Sequence, residues 1–245
     1  MAESCFIETL SHYLSLTEGE RRSLAAFEES SEAVAAHQVV YEEHAQVDEI
    51  AVLQSGWMFA STLMADGRRQ VLRFYFPGDL LGHGSIAFRR SIHQISAVTD
   101  AKICRVSRNG FGKLMSQHPR LGALFYALSA VETADLSDRM RAIGRADGQA
   151  RIANLFLSIA ARLRVTNGPD TMQFNMPITQ MEIADAVGLT NIHVSRLMKT
   201  MAADGLIARA RSDVRLIDEP RLRKIAQFED RFARIDTSWF PPPTD

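Results

Sequence analysis

The stretch Thr179–Asp204, TQMEIADAVGLTNIHVSRLMKTMAAD, limits what this chain can fold into more than any other part of it. In a window that starts at Gln180, the fifth position is Ala184, small enough for two helices to cross closely. The ninth is Gly188, which permits the left-handed backbone that a sharp turn between helices needs. Ile183, Val187, Leu189, Val194 and Leu197 fall where side chains must be buried between the helices. Asn191, His193, Ser195, Arg196 and Lys199 fall where the second helix faces outward. The pattern is that of a helix-turn-helix. An unrelated helical hairpin does not require a small residue, a glycine and these apolar positions together.

The flanking sequence agrees. Gly205-Leu206-Ile207 leads to Arg209, Arg211 and Arg215, and Val214–Ile217 reads as a return strand. Strand, basic tip and strand make a wing that can lie along a phosphate backbone, where arginines position a domain without reading bases. The net charge is −1, but residues 141–234 carry +5 and the remainder −6. A basic segment behind an acidic one is compatible with a polyanion partner and equally with a solvated surface.

Upstream the texture differs. Residues 5–29 read as helix, with Thr17-Glu18-Gly19-Glu20 resembling a capping box. From Val34 the chain becomes β: Val39–Tyr41, Ile50–Leu53, Trp57–Leu63, Val71–Phe76 and Ile92–Val106 are runs of strand formers. Asp66-Gly67 between two of them is a hairpin signal, because a tight turn needs positive φ. Many short strands with no helix between them predict an antiparallel roll or sandwich. After Gly110 the period changes again. A helix over Arg120–Gly144, about 37 Å long, carries Leu121, Leu124, Leu128, Val131, Leu136 and Met140 on one seam. So long a helix with so narrow a seam is expected to pair with the same helix of a second subunit rather than only with its own β domain. Gln149–Leu163, Thr179–Val187, Asn191–Asp204 and Pro220–Ile235 read as further helices, and Pro241-Pro242-Pro243 as an extended tail.

Composition removes other classes. At 46% hydrophobic and 23% charged the chain can bury a core. Its longest apolar run, Leu121 to Val131, is shorter than the about 20 residues that cross a bilayer. Met1-Ala2-Glu3-Ser4 is not the start of a secretory signal, so the cytoplasm is the expected compartment and no membrane partner is expected. No GxSxG, P-loop, HExxH or GxGxxG motif occurs, so an enzyme is not expected.

Three segments carry a family resemblance: DGRRQVLRFYFPGDLLG (Asp66–Gly82), the long helix, and ITQMEIADAVGLTNIHVSRLMKTMAADGLIAR (Ile178–Arg209). Over roughly residues 20 to 218 the chain resembles the cyclic-AMP receptor / fumarate–nitrate reduction regulator family of bacterial transcription factors. The resemblance implies an α+β chain in four parts. These are an N-terminal antiparallel β-roll of the cyclic-nucleotide-binding jelly-roll kind (1–118), a dimerisation helix (119–145), a winged helix-turn-helix (146–218), and a C-terminal helix with a Pro-rich tail (219–245). It implies a homodimer on double-stranded DNA at a palindromic operator, with RNA polymerase as a further partner for an activator. The implied DNA-contacting set is Thr179, Gln180, Thr190, Asn191, His193, Ser195, Arg196, Lys199, Arg209 and Arg211, with Arg196 on guanine or phosphate. The chain departs from the family at Ile192, where many members carry a base-reading glutamate. Ile192 is open to two roles, contact with a thymine methyl or inward packing.

The effector is less defined. Members that bind cyclic nucleotides carry a glutamate in the loop that here reads Gly82-His83-Gly84. Arg89-Arg90-Ser91 is open to holding an anion or to solvation. Cyclic AMP is therefore not expected, and no cofactor is. An iron–sulfur cluster needs about four thiolates, and the chain has only Cys5 and Cys104. Haem through His44, His83 or His93 is disfavoured, since a lone histidine in a β-roll is usually structural. Cys104 reads as a small buried hydrophobe. The competing function is a sensor module, for a cyclic-nucleotide-like ligand or haem, whose helical part contacts protein.

Overall fold

Strand formers separated by turn residues fold, in a computed structural model that describes residues 4–243, into two four-stranded sheets followed by helices and a small third sheet. Met1–Glu3, read for signal character, and the last two residues of the tail lie outside the described residues. The elements are α1 (Cys5–Ser11), α2 (Glu18–Ala25), β1 (Ser31–Val34), β2 (Val39–Tyr41), β3 (Glu49–Ser55), β4 (Met58–Leu63), β5 (Arg69–Tyr75), β6 (Leu80–Leu81), β7 (Gln94–Ala97), β8 (Ala101–Ser107), α3 (Arg108–Gln117) and α4 (Pro119–Arg145). They continue as α5 (Gly148–Asn167), β9 (Gln173–Asn175), α6 (Gln180–Val187), α7 (Asn191–Ala203), β10 (Ile207–Ala210), β11 (Asp213–Leu216) and α8 (Glu219–Ala226).

Two compact units result. One holds the residues up to 62, 72–130 and those from 234 on; the other holds 63–71 and 131–233. In the first unit the sheets run β1-β8-β3-β6 and β2-β7-β4-β5. Alternation along a strand divides the apolar residues between two cores. Ala51, Leu53 and Ile103 join Met58, Tyr75 and Leu81 in one core, while Ile50, Val52, Cys104 and Val106 meet Phe6, Leu24, Phe111 and Phe125 in the other. Burial raises the Cys104 thiol above its ordinary value, which fits a packing role.

Several local expectations change. The single helix over 5–29 is two, because Thr17 and Glu20 form a full capping box and start α2 afresh. The run Ile92–Val106 breaks at Val98–Asp100 into β7 and β8. The Pro220–Ile235 helix stops at Ala226, where Gln227 takes a left-handed conformation with φ 48°. Asp66-Gly67 does turn the β4–β5 hairpin, with Gly67 at φ 82°.

The long helix α4 has 27 residues, but its seam is not the expected one. Leu121 and Leu124 are fully buried in their own chain's core and Leu128 packs against it, because they face Phe6, Leu10 and Phe111 rather than solvent. Each fully buried leucine contributes about 1.5–3 kcal/mol to the fold it sits in. Val131 is half-buried. The exposed stripe of α4 is instead Tyr126, Ala130, Thr133, Leu136 and Met140. Of the six seam residues read from periodicity, only Leu136 and Met140 lie on it.

Candidate nucleic-acid interface

The second unit is built around α5, whose first turn is capped by the Asp147 carboxylate accepting from Ala150 N at 2.8 Å. Helix α6 begins at a reciprocal capping box. Thr179 Oγ1 accepts from Glu182 N at 3.2 Å, and the Glu182 carboxylate accepts from Thr179 N at 2.6 Å. Its C-terminal end is held as closely. Gln70 donates to Asp185 O at 2.6 Å, Arg139 donates to Ala186 O at 3.2 Å and Arg151 to Val187 O at 3.5 Å. Carbonyls in the last turn of a helix have no partner within it, and cationic donors suit its negative end. Arg69 adds an ion pair to Asp185 at 2.8 Å, and Arg139 also donates to Val71 O at 3.0 Å. Nothing local in the sequence marks Arg69, Gln70 or Arg139 for this work; Arg69 and Asp185 are 116 positions apart.

Gly188 follows with φ 67° and ψ 41°, the left-handed conformation expected of it. Helix α7 then starts at Thr190, whose hydroxyl accepts from His193 N at 3.3 Å. Ile183, Ala184, Val187, Val194, Met198 and Met201 are buried. Leu189 and Leu197 are only half-buried, and both lie against the bare backbone of Gly148. A Cβ at Gly148 would meet Leu197 Cδ1 at 2.6 Å and Leu189 Cδ1 at 3.2 Å, so that glycine lets α5 and α7 approach.

The outward face of α7 carries Asn191, Ile192, Arg196 and Lys199, all exposed, with Ser195 at its half-buried edge. Thr179, Gln180 and Thr190 are exposed at the N-terminal ends of α6 and α7. Thr179 and Thr190 already serve as caps, each hydroxyl accepting one of the backbone N–H groups that a helix start leaves without a partner. His193 is exposed, but its Nε2 would lie 3.3 Å from a Cβ on Gly148, so its ring leans toward α5 at the edge of the face.

The wing forms as β10 and β11, joined by an unexpected third strand, β9, in the order β10-β11-β9. Arg211, in the turn, takes φ 54° and is exposed, as is Arg215. Arg209, expected at the phosphate backbone, is engaged within the chain. It folds back and donates to Ile178 O at 2.8 Å and Arg211 O at 3.1 Å, and burial lowers its pKa. Arg209 therefore splints the wing to the start of α6. That engagement could not be read from the sequence, because the direction of a side chain from a wing depends on what lies beneath it.

The candidate effector residues lie in the first unit. Gly82, at φ 75°, leads into a 3-10 turn over His83–Ser85. His83 Nδ1 is 2.8 Å from Leu80 O. Ser91 donates to His93 O at 2.7 Å, and Ser85 accepts from Ile92 N at 3.2 Å. Arg90 donates to His44 O at 3.1 Å, while Arg89 is exposed. Arg108, unmarked in the sequence, fastens the same loop through the carbonyls of Ser85 and Phe88.

Comparison with known proteins matches residues 31–118 to the cyclic nucleotide-binding domain and 150–225 to the Crp-like helix-turn-helix domain. The nitrogen fixation regulation protein FixK of Bradyrhizobium diazoefficiens is 32% identical over 173 residues, covering 70% of this chain and 71% of that protein. The transcriptional activator protein FnrL of Cereibacter sphaeroides is 32% identical over 169 residues, covering 66% of each chain, just under two thirds. The structure of FixK2 from Bradyrhizobium japonicum superposes with a TM-score of 0.72 at 23% identity, covering 80% of this chain and 96% of that one, which is a likeness of fold.

Proposed function

The chain belongs to the cyclic-AMP receptor / fumarate–nitrate reduction regulator family of DNA-binding transcription regulators, and from that membership we propose that it binds a two-fold-symmetric operator as a homodimer, with α7 in the major groove. The observation that carries this reading is the outward face of α7. Asn191, Arg196 and Lys199 are exposed there, and their side chains make no bond among the described residues. The exposed stripe of α4, from Tyr126 to Met140, is the surface that would meet its copy. A two-fold dimer sets two such helices about 34 Å apart, one turn of duplex, which favours a palindromic site.

We further propose that cyclic AMP is not the effector. The loop that would hold it has a histidine, already bonded to Leu80 O, in place of a carboxylate, and Arg90 and Ser91 are engaged with backbone carbonyls. These residues do not fit a cyclic phosphodiester with its ribose hydroxyl. Among the described residues no helix is long and apolar enough to cross a membrane. The cytoplasm is the compartment this reading requires. FnrL is named a transcriptional activator; activation here would add RNA polymerase to the partners.

Selection of binding sites from random duplex DNA by the purified protein, with the mass of the complex measured by light scattering, tests the proposal. A palindromic consensus bound by two chains is the expected result. A non-palindromic consensus bound by one chain would overturn it.

A further inference from the structure

Helix α7 turns its large apolar residues inward, with one exception. Val194, Met198 and Met201 are buried and Leu197 is half-buried, but Ile192 is 68% exposed. The inward packing open to Ile192 from the sequence is thus not what it does. It stands in the first turn of the helix, where Thr190 caps the backbone. Arg196 lies four residues on, so both side chains project from one face. Isoleucine has neither donor nor acceptor. The one feature of a major-groove base edge that such a side chain can recognise is the thymine 5-methyl group. A carboxylate at this position would instead accept from the cytosine amino group.

We infer that Ile192 is a specificity-determining residue that reads a thymine methyl, one helical turn from the base read by Arg196. This rests on the operator-binding proposal. It means that the operator carries, in each half-site, a thymine whose methyl group rather than whose hydrogen-bonding edge is read. Replacing the base-reading chemistry of a carboxylate by that of a hydrocarbon changes which sites the protein selects while leaving its grip on phosphates unchanged.

The test uses the full-length protein and its selected operator. Each thymine is replaced in turn by deoxyuridine, which pairs identically and lacks only the methyl group, and Kd is read by fluorescence anisotropy. Wild type is expected to bind about threefold to fivefold more weakly at one position per half-site, the factor for one apolar methyl returned to water. Ile192→Ala is expected to bind the thymine and uracil operators equally, with an unchanged salt slope and thermal midpoint. Ile192→Glu is expected to select cytosine at that position and to keep its preference at the base read by Arg196. The inference is overturned if wild type changes less than twofold at every thymine, or if Ile192→Ala keeps the uracil penalty. Those results leave operator binding intact. Equal affinity for the selected and a scrambled duplex would instead remove the operator proposal and this inference with it.

Discussion

Helix α7 and the loop from Gly82 to His93 are both rich in polar and basic residues, and they use them in opposite ways. In the loop, His83, Ser85, Arg90 and Ser91 are each engaged with a nearby backbone group, and Arg108 closes it from outside. On α7, the side chains of Asn191, Arg196 and Lys199 project with no partner among the described residues. A buried or engaged polar group holds the fold together, because leaving it unmet costs free energy. A group left unmet at the surface of a rigid, capped helix costs nothing in the free protein and is available to a ligand. The arginines of this chain are therefore sorted by what their guanidinium groups already touch, and substitution should separate the two kinds.

The largest effect belongs to an engaged pair. Arg164 donates to the Glu219 carboxylate at 2.9 Å, with side-chain exposures of 13% and 12%, and Arg223 supports the same carboxylate at 2.8 Å. Arg164→Ala should cost about 3 kcal/mol of stability, the low end for a broken buried pair, since Arg223 remains. Arg164, then Arg223, holds the Glu219 pKa below its ordinary 4.5. A carboxylate with a lowered folded pKa stabilises the fold above its unfolded pKa and loses that contribution as pH falls through the folded value. Urea midpoints for wild type and variant should thus differ most near neutrality and converge well below pH 4.5. A difference that stays constant with pH would separate the loss from Glu219.

Arg196→Ala should behave in the opposite way. It should leave the unfolding free energy, measured by urea titration, within about 0.5 kcal/mol of wild type, as for an exposed residue. On the selected operator it should cost about 1–3 kcal/mol and relax the preference at one position per half-site. Equal losses on operator and scrambled DNA would mean that Arg196 holds a phosphate and that α7 is rotated from the orientation proposed.

The wing contains both kinds of arginine two residues apart. Arg211→Ala should weaken all duplexes alike and lower the salt slope by about one unit per lost contact. Arg209→Ala should leave the slope unchanged and cost about 1 kcal/mol of stability through its lost hydrogen bonds. Salt titrations that give both variants the same reduced slope would place Arg209 on the phosphates after all.

What the sequence disclosed follows the same division. The helix-turn-helix was legible because its determinants are local: a capping residue, a small residue, a glycine with φ 67°, and an apolar period. The β4–β5 hairpin was legible for the same reason. Strand β1, with the sequence SEAV, has no period of its own and is a strand only because Ser31–Val34 pairs with Ala101–Cys104. Leu121 and Leu124 share a period with Leu128, yet periodicity cannot say whether a stripe faces its own core or a second chain. Arg209 and Arg211 read alike until the backbone between them turns. Burial and direction, set by residues far away in the chain, separated the candidates that sequence left equivalent.

The smallest effect expected is in the effector loop, and it tests the comparison from its quieter side. Arg89 is exposed, and its side chain has no partner among the described residues, so in this it resembles the basic residues of α7. Arg90 is held by His44 O. If an unmet arginine marks a binding surface only when a rigid, shaped site surrounds it, Arg89→Ala should change stability by less than about 0.5 kcal/mol. It should also leave operator affinity unaltered. Arg90→Ala should cost slightly more, because it frees a backbone carbonyl on an exposed loop where water replaces the donor. Calorimetry with cyclic AMP should show no micromolar binding by wild type, and neither variant should change that. If wild type does bind cyclic AMP at micromolar concentration and Arg89→Ala abolishes it, the exposed guanidinium is the phosphate ligand, and the loop is a binding site that keeps one donor in reserve.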